Sequence, residues 1–343
     1  MKKLITLWLF TVMFSCNGPI NRNQQSQIPA ASQTATSDKD ESDGQISQVV
    51  RMMFQDSQGT IWFGTQNGAF KLTDDTLVSV EGIKDEAGKG VTVKDIAEDS
   101  EGKIWVAYEG GISSIDGQVV TNYHEVDGLA NSSVWSIETD DKGNVWIGTL
   151  EGVYLFNGQE FEYFETPEGK IDPTLGISSE KMIHDILKDS KGTIWLCTNA
   201  GLFSYDGDTL LDVSKKVGIS TNFVNNIYES SSGALWVSTK KGLYKLIGDH
   251  AVNITEGEIE NRKGIGSVVE DKDGVIWFVA NQHHLYAYRK NSIIEFQKSA
   301  DNKGPVVFQI YKDQDGRLWF VGFGGAFRME NGQFLNVTKG GPW

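Results

Sequence analysis

One tryptophan recurs at a nearly constant interval along most of this chain. Seven of the ten tryptophans are separated by 43, 41, 49, 41, 41 and 42 residues, and they are Trp62, Trp105, Trp146, Trp195, Trp236, Trp277 and Trp319. Each lies three residues after a glycine that ends a polar turn, as in Asp189-Ser190-Lys191-Gly192. A period of this length indicates a repeat fold, in which each unit packs against its neighbours.

Each repeat unit is predicted to contain four short strands. An aliphatic strand precedes the polar turn, the tryptophan strand follows it, and a second glycine usually separates that strand from two more. In the third unit the four strands are expected at 134–139, 144–149, 152–156 and 161–164. Four strands per unit are typical of a propeller blade, and seven blades close into a ring. We therefore predict an all-β fold, a seven-bladed β-propeller with four antiparallel strands per blade, over residues 46–343.

Two ways of closing the ring are compatible with the sequence. The last blade could use residues 334–337 as its own outermost strand, so that no strand is exchanged with the N-terminus. Alternatively, the residues just before Val49 could supply that strand.

Composition restricts the partners. The formal net charge is −15, and such a surface repels phosphate groups, so we expect no nucleic-acid partner. The two cysteines, Cys16 and Cys197, lie too far apart in sequence and are too few to form a disulfide framework. Cys197 is expected to be a small buried apolar residue. We expect a monomer without a cofactor or a metal ion.

The first fifteen residues have the pattern of a signal peptide. Lys2 and Lys3 precede an apolar run, residues 4–14, that is too short to span a bilayer. The run ends in Met13-Phe14-Ser15-Cys16, which resembles a bacterial lipobox. That resemblance implies cleavage before Cys16 and lipidation of its side chain. An ordinary signal peptide with an incidental cysteine is the alternative.

A polar segment follows the predicted lipidation site. Residues 17–44 contain many Gln, Ser, Asn, Thr and Ala residues and no aromatic residue, so we predict a flexible tether over 16–45. Asn17 is similar to the residue that follows the cysteine in lipoproteins sorted to the outer membrane. We therefore expect attachment to the bacterial envelope, in the outer membrane, through the lipid alone.

The tryptophan segments resemble the two-component-regulator propeller repeat. The resemblance is carried by DSQGTIWFGTQNGAFKL, DSKGTIWLCTNAGLFSYDG and DKGNVWIGTLEGVYLFNG, and it recurs in all seven units over about residues 49–338. That repeat is found in the periplasmic sensor regions of hybrid histidine kinases, many of which detect glycans. The resemblance implies a sensor-like module. No kinase or transmembrane helix follows the last blade, so we expect signalling across a membrane to need another protein.

Comparison of the seven units separates the residues that fold a blade from those that are free to bind a ligand. Two successive positions at the start of the innermost strand vary from blade to blade. The first variable column contains Arg51, Lys94, Trp135, His184, Asn225, Gly266 and Phe308. The second variable column contains Met52, Asp95, Ser136, Asp185, Asn226, Ser267 and Gln309. The loops between the second and third strands are expected at the same end of each blade.

These residues are predicted to surround the mouth of the central channel. Aromatic rings beside amides and charged groups suit a glycan or a peptide, although a channel that holds only water is the alternative. The candidate ligand-binding residues are Arg51, Lys94, Trp135, His184, Asp185, Asn225, Phe308, Tyr108, Glu109, His283 and His284. His284 stands where other blades have glycine, so we expect it to adopt the backbone angle that glycine favours.

Three functions remain open at this point. One is a lipid-anchored binding module that recognises a glycan or an envelope protein. Another is a scaffold for envelope proteins. The remaining function is an enzyme, because streptogramin lyases and other hydrolases or lyases also use seven-bladed propellers. Its candidate acid–base residues, which lie in different blades, are Asp95, Glu109, His184 and Asp185. We predict no catalytic residues, and we expect the adjacent His283 and His284 to lie in a solvated loop rather than in a metal site.

Overall fold

The computed structural model describes residues 45–129, 133–174, 176–221, 223–260, 263–298 and 305–341. The predicted signal peptide over 1–15, the lipidation site Cys16 and all of the predicted tether except Gln45 lie outside these residues. Within the described ranges, no helix is long and apolar enough to cross a membrane.

The described residues form seven antiparallel sheets of four strands, and in each sheet the strands are neighbours in sequence order. The prediction of a seven-bladed β-propeller is confirmed. Blade one contains β1 (Val50–Gln55), β2 (Ile61–Thr65), β3 (Gly68–Thr73) and β4 (Thr76–Ser79). Blade two contains β5 (Val93–Glu98), β6 (Ile104–Tyr108), β7 (Gly111–Asp116) and β8 (Val119–Tyr123). Blade three contains β9 (Val134–Thr139), β10 (Val145–Thr149), β11 (Gly152–Phe156) and β12 (Phe161–Phe164).

The remaining four blades repeat this order. Blade four contains β13 (Ile183–Lys188), β14 (Ile194–Thr198), β15 (Leu202–Tyr205) and β16 (Leu210–Asp212). Blade five contains β17 (Val224–Glu229), β18 (Leu235–Thr239), β19 (Leu243–Ile247) and β20 (His250–Asn253). Blade six contains β21 (Ile265–Glu270), β22 (Ile276–Ala280), β23 (His284–Arg289) and β24 (Ser292–Phe296). Blade seven contains β25 (Val306–Lys312), β26 (Leu318–Phe323), β27 (Gly325–Glu330) and β28 (Gln333–Asn336). A 3-10 turn (Glu125–Asp127) and one short helix, α1 (Val213–Val217), lie between blades.

The carboxylate at the start of the polar turn explains the spacing of the repeat. In blade one, Asp56 Oδ1 accepts hydrogen bonds from the N–H groups of Gln58 and Thr60, at 3.0 and 2.8 Å. Asp56 Oδ2 accepts a 2.8 Å bond from the indole N–H of Trp62. One side chain therefore closes the turn and orients the tryptophan of the next strand. The other pairs are Asp99–Trp105, Asp140–Trp146, Asp189–Trp195, Asp271–Trp277 and Asp313–Trp319.

The core lies between neighbouring blades. Each of the seven repeat tryptophans is at most 9% exposed. Between blades one and two, for example, Trp62 and Met52 pack in one cluster with Val93 and Val106. Each sheet thus buries its faces against the next sheet, which is the physical reason that a single blade would not be stable alone.

Blade seven supplies its own outermost strand, β28, so the first of the two proposed closures is the one observed. The residues before β1 nevertheless lie against this blade. Ile46 donates its N–H to the carbonyl of Thr338 at 2.8 Å, and Gln45 forms an isolated β-bridge with Lys339. The Ile46 side chain is fully buried in a cluster that also contains Trp319. Hydrogen bonds and apolar contacts thus join the two ends of the ring.

Candidate functional site

A β-bulge at the start of each innermost strand directs two successive side chains into the central channel. In blade one, Val50 pairs with Thr65 and Met52 pairs with Gly64, so Arg51 is the extra residue. The register breaks at the corresponding place in the other six blades. In a regular strand, adjacent side chains point to opposite faces, whereas a bulge re-aims one of them. The bulges therefore place both variable columns on the channel wall.

All fourteen residues of the two variable columns line a single cavity of about 230 Å³ in the channel. The structure thus brings together seven of the eleven candidate residues, and it adds the rest of both columns. Those seven are Arg51, Lys94, Trp135, His184, Asp185, Asn225 and Phe308. Their role in ligand binding stays a prediction.

The second variable column forms hydrogen bonds between blades. Asp95 Oδ2 accepts a 2.9 Å bond from the N–H of Ile137 in the next blade, and a 3.0 Å bond from the hydroxyl of Ser136. Ser136 Oγ in turn accepts a 3.1 Å bond from the N–H of Ile186. Asp185, Ser267 and Gln309 accept from the following blade in the same way. We call the five accepting residues the interblade ties, namely Asp95, Ser136, Asp185, Ser267 and Gln309.

Burial changes the ionisation of the groups in the channel. It raises the pKa of Asp95 to about 7, against hydrogen bonds from Ile137 and Ser136 that favour the carboxylate. Burial, together with the nearby charge of Asp95, raises the pKa of Asp185 well above its usual range. Burial, with a smaller effect of Lys240, lowers the pKa of His184 to about 4. The His184 imidazole, stacked 4.2 Å from the ring of Phe223, is therefore neutral at pH 7.

A second cavity of about 560 Å³ forms the mouth of the channel. Large aromatic side chains remain open to solvent here, because Trp135 is 39% and Phe323 53% exposed. The rings of Phe308 and Phe323 lie edge to face at 4.8 Å, and the guanidinium carbon of Arg51 is 5.8 Å from the centre of the Phe308 ring. Besides Arg51, the polar residues that line the mouth cavity are Asn225, Lys240, Lys263, Gln282 and His283.

Lys94 and Glu109 form an ion pair at the rim of the channel. The Lys94 ammonium also lies 4.1 Å from the centre of the Trp135 ring, which is a cation–π geometry. Burial alone would raise the pKa of Glu109, but the hydrogen bond and charge of Lys94 bring it below its usual value. Glu109 thus fixes Lys94 and neutralises it.

The structure does not bring Tyr108 to the mouth. This side chain is fully buried, its hydroxyl donates to the carbonyl of Lys84 at 3.0 Å, and it lines neither cavity. A sequence signal for this was present, because Tyr108 lies three residues after its repeat tryptophan, where blades one and three have Thr65 and Thr149. Those threonines bond to the glycine that begins the next strand.

His283 and His284 point to different places. His283 lines the mouth cavity, whereas Nδ1 of His284 lies 2.8 Å from the Glu295 carboxylate on β24. The expectation of a glycine-like backbone at His284 is wrong, because the left-handed angles occur at Asn281 and Gln282, with φ of 55° and 70°. Blade six has one residue more between Trp277 and β23 than blade one has between Trp62 and β3, and this extra residue shifts the turn. Among the described residues, no group of three or more His, Cys, Asp and Glu is placed to hold a metal ion.

Lys263 is a mouth residue that the sequence analysis missed. It comes from the connection that enters β21, a set of loops that the comparison of repeats did not include. Its position was a usable signal, because Lys263 lies only three residues before Gly266, the residue of blade six in the first variable column.

Four segments of the sequence match the model of the two-component regulator propeller, at residues 44–67, 128–151, 176–200 and 218–241. The fold defines the protein as a seven-bladed β-propeller of four-stranded blades. These four matches confirm the resemblance to the two-component regulator propeller repeat in blades one, three, four and five. A search of curated proteins gave no match.

Several solved structures share this fold. The extracellular domain of a hybrid two-component system from B. thetaiotaomicron is 16% identical, with a TM-score of 0.64 over 82% of this chain and 38% of that one. Virginiamycin B lyase from Staphylococcus aureus is 13% identical, with a TM-score of 0.64 over 81% and 93% of the two chains. The GH74 enzyme of Niastella koreensis is 15% identical, with a TM-score of 0.65 over 87% and 56%. This chain therefore spans 38% of the sensor structure, and at these identities the likeness concerns the fold alone.

Proposed function

We propose that this protein is a binding module that recognises a glycan at the mouth of its channel. The observation that carries the proposal is the pair of exposed aromatic residues, Trp135 and Phe323, in a cavity that also contains amide and cationic groups. Among the described residues, no other tryptophan or phenylalanine side chain is exposed. Exposed aromatic surface on a rigid scaffold is typical of a recognition site.

The chemistry of the mouth suits a sugar ring. The negative face of an aromatic ring attracts the slightly positive C–H groups of a sugar, while amides and cations bind its hydroxyl groups. The side-chain amide of Asn225 has a fixed orientation, because its N–H donates to the carbonyl of Ile265 at 2.9 Å. The bulges fix Arg51, Trp135, Asn225 and Phe308 on strands rather than on long loops, so little ordering of these four side chains is needed when the ligand binds.

The acid–base candidates support binding over catalysis. His184 is buried and neutral, and its Nε2 has no hydrogen-bond partner among the described residues. The carboxylates of Asp95 and Asp185 accept hydrogen bonds between blades, and Glu109 is paired with Lys94. General acid–base catalysis needs a group that is free to exchange a proton with the substrate. Asp95, Asp185 and Glu109 already accept hydrogen bonds from the protein, and His184 is buried.

We further propose that the module works in the bacterial envelope, attached to the outer membrane by a lipid on Cys16. The support for this part is the sequence pattern of residues 1–16. The B. thetaiotaomicron structure with the same fold is described as an extracellular domain, which agrees with such a location. The signalling or scaffolding partner would be a second envelope protein.

Binding is tested by thermal shift and calorimetry on the chain from residue 17, against panels of oligosaccharides and peptides. A ligand at a hundred times its dissociation constant stabilises the fold by about 2.7 kcal/mol, which raises the melting temperature measurably. Trp135→Ala is expected to abolish the shift without unfolding the protein. Ile294→Ala removes an apolar side chain on β24 that is even more exposed than Trp135, and it should change nothing. Wild-type affinity in Trp135→Ala, or binding of peptides alone, would contradict the proposal.

A further inference from the structure

The mouth cavity differs in charge from the rest of the chain. The sequence has 46 acidic and 31 basic residues, which gives the net charge of −15. Of the fifteen described residues that line the mouth cavity, none is acidic and three are basic, namely Arg51, Lys240 and Lys263. A local reversal of charge is unexpected for a surface whose only task is solubility. It indicates a ligand that carries negative charge.

The three cations are placed in the cavity by different contacts. The Lys240 ammonium lies 4.6 Å from the centre of the Phe223 ring, and burial lowers its pKa. Lys263 Nζ lies 3.4 Å from the side-chain oxygen of Gln282. Within the part of the chain that the structure describes, no ion pair joins Arg51 to a carboxylate.

The rim offers an internal comparison. Lys94 belongs to the same column as Arg51, but Glu109 neutralises it. Two histidines also respond to the positive potential of the mouth. Burial lowers the pKa of both, and Lys240 adds to the effect at His184, while Lys298 and Lys263 add to it at His283. The positive charge at the mouth is therefore felt on two sides of the channel.

We infer that the ligand is an acidic saccharide, whose carboxylate or sulfate group binds among Arg51, Lys240 and Lys263 while a sugar ring lies against the exposed aromatic residues. The inference rests on the proposed function and specifies its ligand class. Guanidinium and ammonium groups form their strongest hydrogen bonds with such anions. In a partly enclosed cavity these bonds are screened less by salt than those on an open surface.

The test compares matched ligands by calorimetry on the chain from residue 17. One pair is a diuronic acid and the neutral disaccharide of the same linkage, and a second pair is a sulfated disaccharide and its desulfated form. A panel covering several linkages is used for each pair. The acidic member is expected to bind at least about tenfold more tightly, which corresponds to roughly 1.4 kcal/mol. The two pairs distinguish carboxylate from sulfate.

Variants locate the anion. Arg51→Gln and Lys263→Gln are each expected to weaken the acidic ligand about tenfold and to weaken the neutral one less, so that the preference for the acidic ligand falls. Lys142→Gln is the matched control, because Lys142 is exposed in the turn at the other end of blade three. Circular dichroism and the melting temperature check that each variant is folded, which is expected for the exposed Arg51.

The possible failures are distinguishable. Equal affinity for acidic and neutral saccharides, lost in Trp135→Ala, would overturn the acidic ligand and leave the proposed function standing. Unchanged affinity of the acidic ligand in both cation variants would also overturn the inference. Binding of acidic peptides but of no saccharide would overturn both the inference and the glycan-binding proposal, as would the absence of any binding across the panel.

Discussion

At the scale of single residues, one departure from the repeat has a physical consequence. Six blades begin their polar turn with aspartate, and blade five begins it with Ser230. Ser230 Oγ accepts from the N–H of Ala234 at 3.2 Å, so it closes the turn as one oxygen of aspartate would. It has no second oxygen for the indole of Trp236, whose buried N–H has no hydrogen-bond partner in the described structure. A buried donor without a partner costs stability.

The substitution Ser230→Asp is expected to stabilise the protein. The new carboxylate would bind both the turn and the Trp236 indole, as Asp189 does in blade four at 2.9 Å from Trp195. The gain should be about 1 kcal/mol in the free energy of unfolding, or roughly 2 °C in melting temperature for a domain of this size. Urea unfolding and thermal denaturation measure it.

Asp189→Ser is the matched control for this prediction. It creates in blade four the arrangement of blade five, and it should destabilise by a similar amount. The two turns have similar surroundings, because Glu229 binds the turn of blade four and Glu270 that of blade five, each at 2.7 Å. A loss of stability in Ser230→Asp would show that the Trp236 indole does not need a carboxylate.

At the scale of the blade, the interblade ties make the stability of the ring depend on pH. Asp95 has an ordinary pKa of 3.8 and a pKa of about 7 in the folded protein. Because folding raises this pKa, the protonated form is favoured in the fold, and its stabilising effect is complete below pH 4. The effect is lost as the pH rises towards 7. Asp185 acts in the same direction.

Asp95→Asn is expected to reduce this pH dependence. Asparagine fits the column, since Asn226 occupies the same position in blade five. The wild-type protein should lose a few kcal/mol more than the variant between pH 4 and pH 7, because each unit of pKa shift corresponds to about 1.4 kcal/mol. Urea unfolding of both proteins at a series of pH values measures the difference. The opposite contribution of His184 is the same in both proteins and cancels in this comparison. Parallel curves for the two proteins would contradict the raised pKa.

The blade is also the scale at which the sequence was most informative. In blade three, β9, β11 and β12 have the predicted bounds, and β10 begins one residue later than predicted, at Val145. Turn chemistry and the tryptophan spacing determine these bounds locally. The two variable columns were found for the same reason, since every blade repeats them.

What the sequence left undetermined depends on contacts between blades. The ties of Asp95 and Asp185 join residues 41 or 42 positions apart, and nothing local distinguishes them from ligand-binding groups. The pairing of Lys94 with Glu109 and the position of Lys263 likewise follow from how loops meet at the channel mouth. Charge reversal at the mouth could therefore be recognised only after the fold had placed these residues together.

At the scale of the whole molecule, the ring has one junction that chain connectivity does not make. Six blades continue directly into the next one, but blade seven meets blade one only through noncovalent contacts. The N–H of Gly324 donates to the carbonyl of Gln48 at 2.9 Å, and Gln309 accepts from Met53. Ile46 fills the apolar junction. Because a repeat protein is stabilised by its neighbour interfaces, loss of this junction would expose the faces of both end blades.

Ile46→Ala is expected to weaken this junction selectively. Its side chain is fully buried, so truncation should cost about 2–5 kcal/mol in the free energy of unfolding. Hydrogen exchange should show faster opening in blades one and seven than in blades three to five, because local opening begins where the interface is weakest. Val119→Ala, at a residue that is 66% exposed, is the control and should change neither measurement. Uniform protection around the ring in Ile46→Ala, or no loss of stability, would mean that the hydrogen bonds at residues 45–49 and the interblade tie of Gln309 close the ring without the apolar contact.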